Sequence, residues 1–253
     1  MPSSDALIVA IVGSRNPTRY GKDMTEEIAR ALARRGIVIA SGMARGVDTI
    51  AHRASIDAGT PTIAVLGSGL LETVIYPKDN IGLSREIVSK NGAVISEYEP
   101  SQKPELWTFP QRNRIIAGIA KAVIVTEAGE KSGALITARY ALEYGRDVFA
   151  VPGQMTSPLS RGTNNLLKEG ATPVTSIDDI FEALGIEISS DIKNTTTCSP
   201  YERTILESLT EELSTDEIIK RTRLAPQIVL ASTASLEIEG MIKQTSGMWR
   251  KLS

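Results

Sequence analysis

Several stretches of this chain set arginines beside glycines and hydroxyl side chains just after strand-like runs, where an anion can be gripped. The first is Gly13-Ser14-Arg15, directly after the apolar run Leu7–Val12. A glycine at a strand end lets backbone N–H groups turn toward an anion, and the following helix adds its positive end. Ser14 can donate a hydroxyl proton, and Arg15 can hold a phosphate through two parallel hydrogen bonds. Taken alone, the tripeptide also fits an ordinary βα turn. The second stretch, Ser41-Gly42-Met43-Ala44-Arg45-Gly46-Val47-Asp48, repeats the pattern after a second strand. Two such loops at neighbouring strand ends favour one shared anion site, with Ser41, Gly42, Arg45 and Gly46 joining Gly13, Ser14 and Arg15.

The third stretch, Trp107-Thr108-Phe109-Pro110-Gln111-Arg112-Asn113-Arg114, is the most specific. Arg112 and Arg114 can neutralise phosphate, Asn113 can hydrogen-bond, and an exposed aromatic can stack a base for roughly 1–3 kcal/mol. A single aromatic more often fills a core. Aromatics are only 4% of this chain, so their clustering beside arginines favours a ligand role for one of the two. Ser132-Gly133 opens a further helix and could take another phosphate, as could the Gly162-Thr163-Asn164 turn near Lys168.

Other chemistries fit poorly. No G-x-G-x-x-G follows the first strand, and Gly67-Ser68-Gly69 lacks its third glycine, which disfavours a dinucleotide cofactor. No G-x-x-x-x-G-K-[ST] is present. Phosphoribohydrolases that cleave nucleoside monophosphates carry P-G-G-x-G-T-x-x-E, where this chain has EAGEKSGALITA. A nucleotide-processing enzyme is therefore the alternative reading, with Glu127 or Glu97 as its general base. His52 follows Asp48 by one helical turn, so the two can face each other, as a catalytic pair or as a structural contact. With one histidine and one cysteine, neither a disulfide nor a cysteine-built zinc site is available. No cofactor is expected.

The elements that must position these residues alternate. Strand-like runs Leu7–Val12, Ile37–Ala40, Thr62–Leu66, Ala93–Ser96, Ala122–Thr126, Asp147–Val151 and Thr172–Thr175 are separated by helical patterns. These patterns cover Lys22–Arg35, Val47–Ala58, Asn80–Lys90, Asn113–Ala120, Gly133–Tyr144 and Thr163–Glu169, and Ser176–Leu184 follows. This order predicts an α/β fold, an extended Rossmann-like, doubly wound, mostly parallel sheet. In such sheets ligands sit beyond the carboxyl ends of the strands, where every loop above falls. Residues 1–186 form this domain and 187–198 a linker.

Residues 199–253 carry three helical patterns, Tyr201–Leu209, Thr215–Thr222 and Pro226–Glu239, then a hairpin of Met241–Gln244 and Met248–Leu252. This is the pattern of a small winged-helix-like module, with Ser214 and Glu217 forming a capping box. The module holds seven Lys/Arg against eight Asp/Glu, and Pro226–Glu239 has neither Lys nor Arg. A helix that reads the major groove normally brings basic or amide side chains, and Gln227 is its sole candidate. A protein contact, such as a second copy, is the expectation for this module.

The chain has 253 residues, is 42% hydrophobic and 23% charged, and carries a formal charge of −2. Such values describe a globular, cytoplasmic protein without a membrane span or signal peptide. They disfavour a broadly basic nucleic-acid surface, so any such site must be local and shaped.

The combination of IVGSR (Ile11–Arg15), SGMARGVDTIAH (Ser41–His52), FPQRNRIIAG (Phe109–Gly118), SGALITA (Ser132–Ala138), VFAVPG (Val148–Gly153) and GTNNLLKEGA (Gly162–Ala171) resembles the DNA-processing protein A (DprA/Smf) family. The resemblance implies an extended Rossmann fold that binds single-stranded DNA with little sequence preference. It further implies a homodimer that brings a RecA-type recombinase onto incoming DNA and supports natural transformation, with no established enzymatic activity. Carried over residue by residue, it makes Arg15 the best phosphate ligand, assisted by Ser14 and Gly13. It makes Phe109 the base-stacking residue and places Asn164 on a polar position of the pocket. Many members begin with a sterile-alpha-motif-like domain, which is expected to be lacking here because the first strand follows almost at once.

Overall fold

The computed structural model describes residues 6–186, 199–209, 211–238, 241–245 and 247–251. The expected linker at 187–198 and Glu239 lie outside them. The chain divides into two compact units, Met1–Gly185 and Ile186–Ser253.

Seven strands build the sheet of the first unit: β1 Ile8–Val12, β2 Val38–Ser41, β3 Thr62–Val65, β4 Ala93–Ile95, β5 Ala122–Val125, β6 Asp147–Ala150 and β7 Thr172–Pro173. Their order is β4-β3-β2-β1-β5-β6-β7, and every pairing is parallel. The apolar runs IVAIV and AVIV suit central strands covered on both faces. Successive side chains point to opposite faces, so each strand feeds two cores. Along β3, Ile63 and Val65 join one cluster with Val38, Ala40, Val123 and Val125. Ala64 joins the other with Met43, Ile56, Leu83 and Ile87.

The helices between them are α1 Arg19–Arg34, α2 Val47–Asp57, α3 Ile81–Ser89, α4 Thr108–Ile119, α5 Ala134–Glu143, α6 Arg161–Lys168 and α7 Ile177–Ala183. Ile116, Ala117, Ala134 and Ala138 press α4 and α5 on the first face, and Leu83 and Ile87 press α3 on the second. The chain winds outward from β1 to β4, then returns to lay β5 on the other side of β1. That reversal opens a crevice beyond the ends of β1 and β5.

α4 begins at Thr108, five residues before the expected Asn113. Pro110 marks a boundary in the sequence, yet a first-turn proline is tolerated because its missing N–H has no intrahelical partner. The earlier start places Phe109 on the helix, one turn ahead of Arg112 and Asn113.

His52 and Asp48 do not pair as expected. Thr62 Oγ1 donates its proton to the Ile39 carbonyl at 2.7 Å. It must therefore accept from His52 Nδ1–H, also at 2.7 Å. Nε2 is left buried without a partner. Burial first, and the Arg112 charge second, hold the imidazole neutral with its pKa lowered to about 3.

In the second unit α8 Pro200–Ser208, α9 Thr215–Thr222 and α10 Pro226–Ile238 pack with a three-stranded sheet of β8 Leu213–Ser214, β9 Ile242–Thr245 and β10 Met248–Lys251. This is a winged helix around Ile205, Ile218, Val229, Leu236 and Trp249. Ser214 and Glu217 form the reciprocal capping box. The two-residue strand β8 escaped the sequence reading because it is too short to show a period.

His52 gives the fold a pH signature. The folded imidazole stays neutral down to about pH 3, whereas the unfolded one protonates near 6.5. The unfolded state therefore binds more protons in that window, and stability falls as pH drops through it, by about 1.4 kcal/mol per unit. Urea midpoints should show wild type losing about 2 kcal/mol more than His52→Gln between pH 7 and pH 5.

Candidate nucleic-acid interface

The loops after β1, β2 and β5 and the start of α4 meet around one cleft of about 1110 Å³. Gly13, Ser14, Arg15, Phe109, Asn113 and Ser132 are among its lining residues, with Gly133 beside them. A smaller pocket of about 140 Å³ adjoins it, sharing Arg15, Phe109 and Arg112 and adding Gly42 and Arg45.

Packing explains why the loops are glycine-rich. A Cβ on Gly13 would stand 2.7 Å from the Val47 side chain, so the first loop lies flat against the start of α2. Gly46 has φ 79°, and a Cβ there would meet the Ser14 carbonyl at 2.4 Å. Val47 N–H donates to that same carbonyl at 3.1 Å, closing the β1 and β2 loops onto each other. Gly67 leaves room for the Phe109 ring, 2.8 Å from where its Cβ would be. The G-x-G after β3 therefore serves packing.

Several expected phosphate donors are already committed. Ser14 N–H donates to the Glu127 carbonyl at 2.7 Å, and Ser14 Oγ accepts from Asn16 N–H at 3.1 Å. Gly42 N–H and Ala44 N–H both donate to the Asp48 carboxylate at 3.2 Å. Ser41 is buried, with its hydroxyl donating to the Ile11 carbonyl at 2.6 Å. Asn164 pairs through both amide atoms with the Gly153 backbone, accepting at 3.2 Å and donating at 3.0 Å, and is not among the cleft-lining residues. Ser41, Asn164 and the Ser14, Gly42 and Ala44 amides shape the loops rather than face an anion. The Ser14 hydroxyl only accepts, from Asn16, and keeps its proton to donate in the cleft it lines.

The arginines separate in the same way. Arg112 is 4% exposed, and its guanidinium donates to the carbonyls of Gly42, at 2.7 Å, and Val65. Its Nε donates to Asn113 Oδ1 at 3.2 Å, while Asn113 donates to the Gly133 carbonyl at 3.1 Å. Burial lowers the Arg112 pKa to about 10, partly offset by Asp48, so it stays charged at neutral pH. Burial pushes the Asp48 carboxyl up, and the Arg112 charge and the loop N–H groups pull it back. Arg112 is thus an internal brace and not the free phosphate ligand its sequence context suggests. Arg45 pairs with Asp79 at 2.7 Å, and Arg114 with Glu97, both toward the surface.

Arg15 remains. It is exposed, has no ion-pair partner among the described residues, and lies over the Phe109 ring, 5.6 Å from its centre. Tyr76 tilts against the same ring at 5.8 Å. Lys131, on the loop after β5, also lines the cleft, is exposed and is likewise outside every ion pair of the described residues. Lys131 was passed over in the sequence because one lysine in a polar loop carries no pattern.

The carboxylates considered as a general base are engaged. Glu127 is buried and accepts from Thr18 N–H at 2.8 Å and Thr18 Oγ1 at 2.6 Å, fixing the residue that caps α1. Glu97 holds Arg114. Nothing in this geometry favours the nucleotide-hydrolysing alternative.

The two arginines should separate experimentally. Arg112→Ala leaves the buried Asp48 carboxyl without its counter-charge and takes the guanidinium donor from two carbonyls, and should cost about 3–5 kcal/mol in thermal or urea unfolding. Arg15→Ala should leave the unfolding midpoint unchanged.

Comparison with known proteins places this geometry. Residues 1–185 match the family described as DNA recombination-mediator protein A, and residues 194–248 match the DprA winged helix domain. The chain is 46% identical to the DNA processing protein DprA of Bacillus subtilis over 176 residues, 70% of this chain and 58% of that protein. It is 36% identical to protein Smf of Escherichia coli, covering 96% of this chain and 67% of that protein. Among solved structures, DNA processing protein A from Helicobacter pylori, described for its single-stranded DNA binding mode, is 38% identical with a TM-score of 0.64. That match covers 70% of this chain and 80% of the other.

Proposed function

Since the chain belongs to the DNA recombination-mediator protein A family, we propose that its α/β unit binds single-stranded DNA in the cleft beyond β1 and β5. The observation that carries this reading is Arg15 against Phe109. It is an exposed guanidinium with no ion pair among the described residues, resting on an aromatic ring that lines the cleft. On binding, Arg15 takes a phosphate and the ring takes a base, so each exchanges the other for nucleotide. Lys131 and the start of α5 at Ser132–Gly133 add positive potential to the cleft. Arg45 and Arg114 flank the site, and releasing their carboxylates would extend the phosphate track. Asn113, Arg112, Ser41, Gly42, Gly46 and Asn164 hold the walls in place.

The wider role rests on family membership. The protein protects incoming strands and helps load a RecA-type recombinase during natural transformation, as a cytoplasmic homodimer whose paired clefts lengthen the track. Among the described residues no helix is long and apolar enough to cross a membrane. Residues 1–186 carry the DNA site, and residues 199–253 make a protein contact. The exposed residues of α10 include Gln227, Leu230 and Ala231, a surface with little to offer a base edge.

Fluorescence anisotropy with labelled oligo-dT and a matching duplex tests this. Single strand should bind, duplex only weakly, and binding should weaken as salt rises. Arg15→Ala should abolish most of the affinity, and Phe109→Ala should weaken it by about 1–3 kcal/mol. An Arg15→Ala variant that binds like wild type would remove the central claim. Residues 1–186 and the full chain should bind duplex equally weakly. Tighter duplex binding by the full chain would instead make the winged helix a DNA reader.

A further inference from the structure

The cleft is larger than one stacked base needs, and it holds a second aromatic. Sites for single small molecules usually enclose about 300–1,000 Å³. This one reaches about 1110 Å³ and continues from Phe109 along the loop that precedes α4. Trp107 stands on that loop. It lines the cleft, yet the residue is 53% exposed.

Leu106 beside it is exposed as well, and contiguous apolar surface at the edge of a cleft marks a place that a ligand can cover. The ring is also held in place. Tyr98 meets it edge to face, with centroids 5.9 Å apart and planes at 82°. Its Nε1–H donates to Glu105 at 2.7 Å. Tyr98 is fixed in turn, donating its hydroxyl proton to the Thr108 carbonyl or the Gln111 side chain, each at 3.1 Å. Thr108 anchors the corner by donating to the Gly67 carbonyl. A rotamer set by two contacts while much of the ring faces solvent is pre-organised and loses little entropy on meeting a flat ligand.

The surroundings select the ligand. Around Trp107 the cleft is lined by Pro104 and Leu106 and by Glu105, whose carboxylate is held by the indole N–H, and Lys131, Ser132 and Gly133 line it from the β5–α5 loop. A strand laid between them would turn bases to one side and phosphates to the other. Trp107 differs in one respect from Phe109, which Arg15 covers. No cation lies over the indole among the described residues, so a base can take it without displacing a side chain.

We propose that Trp107 is a second base-stacking platform, taking a nucleotide neighbouring the one on Phe109. The inference rests on the single-strand reading above and adds a residue and a direction to it. The strand runs from Arg15 and Phe109 outward over the 104–107 loop.

The chain's other tryptophan, Trp249, is buried in the core of the C-terminal unit, so intrinsic fluorescence can separate the two. Full-length wild type, Trp107→Phe and Trp107→Ala would be titrated with oligo-dT, following tryptophan emission and, separately, the anisotropy of a labelled oligo-dT. Wild-type emission should quench along the anisotropy isotherm, and the quench should vanish in Trp107→Phe. Trp107→Ala should bind between about fivefold and a hundredfold more weakly, while Trp107→Phe keeps most of the affinity. An oligomer of abasic sugar–phosphate units should bind wild type and Trp107→Ala alike. If Trp107→Ala binds at wild-type strength without a quench in wild type, while Arg15→Ala fails to bind, Trp107 is no platform and the cleft reading survives. If wild type itself does not bind oligo-dT, both fail together.

Discussion

The Arg112 guanidinium ends inside the protein, and the shape of the cleft depends on where it ends. It donates to the carbonyls that close β2 and β3, at Gly42 and Val65, and sits beside the Asp48 carboxylate at the start of α2. One side chain from α4 thus gathers the exits of two strands and the entrance of another helix. A buried charge is tolerated only when its donors are met and a counter-charge is near. Carbonyls at strand ends are well suited to meet it, since the ladder no longer uses them. The side chain that satisfies these orphaned groups also fixes α4, and α4 presents Phe109 one turn earlier.

Asp48 performs the complementary service. It accepts from the N–H groups of Gly42 and Ala44, which a bare glycine loop would offer to an anion. The protein therefore carries its own carboxylate where a nucleotide-binding loop would hold a phosphate. The Ser14 amide is likewise turned inward, onto the Glu127 carbonyl. With the loops closed on themselves, the cleft is lined by side chains that reach out of them, Arg15 and the aromatics of the 107–109 segment among them.

This division marks what the sequence could and could not convey. The parallel α/β order was legible because runs such as IVAIV and AVIV have one stable use, a strand buried on both faces. The positions of the functional loops followed, since they can only sit at strand ends. The role of each polar residue within a loop was not legible. Arg15, Arg45, Arg112 and Arg114 look alike along the chain, and burial and the placement of Asp48, Asp79 and Glu97 set them apart. Pairings between residues close in sequence misled as well. Asp48 and His52 share a helix face, yet Asp48 turns to the glycine loop and His52 to Thr62 on β3, because each finds its stronger partner outside the helix. In the winged helix the capping box at Ser214 was readable, being a contact local in sequence.

The net charge of −2 bears on how such a protein can hold nucleic acid at all. A basic coat would attract any polyanion at long range, and duplex would win by its higher charge density. Here three of the arginines in the loops and helix around the cleft are already engaged, Arg45 on Asp79, Arg114 on Glu97 and Arg112 on carbonyls inside the fold. What is left is a few cations beside aromatic rings in a concave cleft. Stacking needs bases that are unpaired and splayed, which a duplex does not offer, so under the proposed reading the balance between rings and cations would set selectivity. A chain with 28 basic and 30 acidic residues brings little net attraction for polyanions, so in the reading proposed above discrimination would rest on the cleft, where Phe109, Trp107 and an Arg15 without an ion pair among the described residues come together.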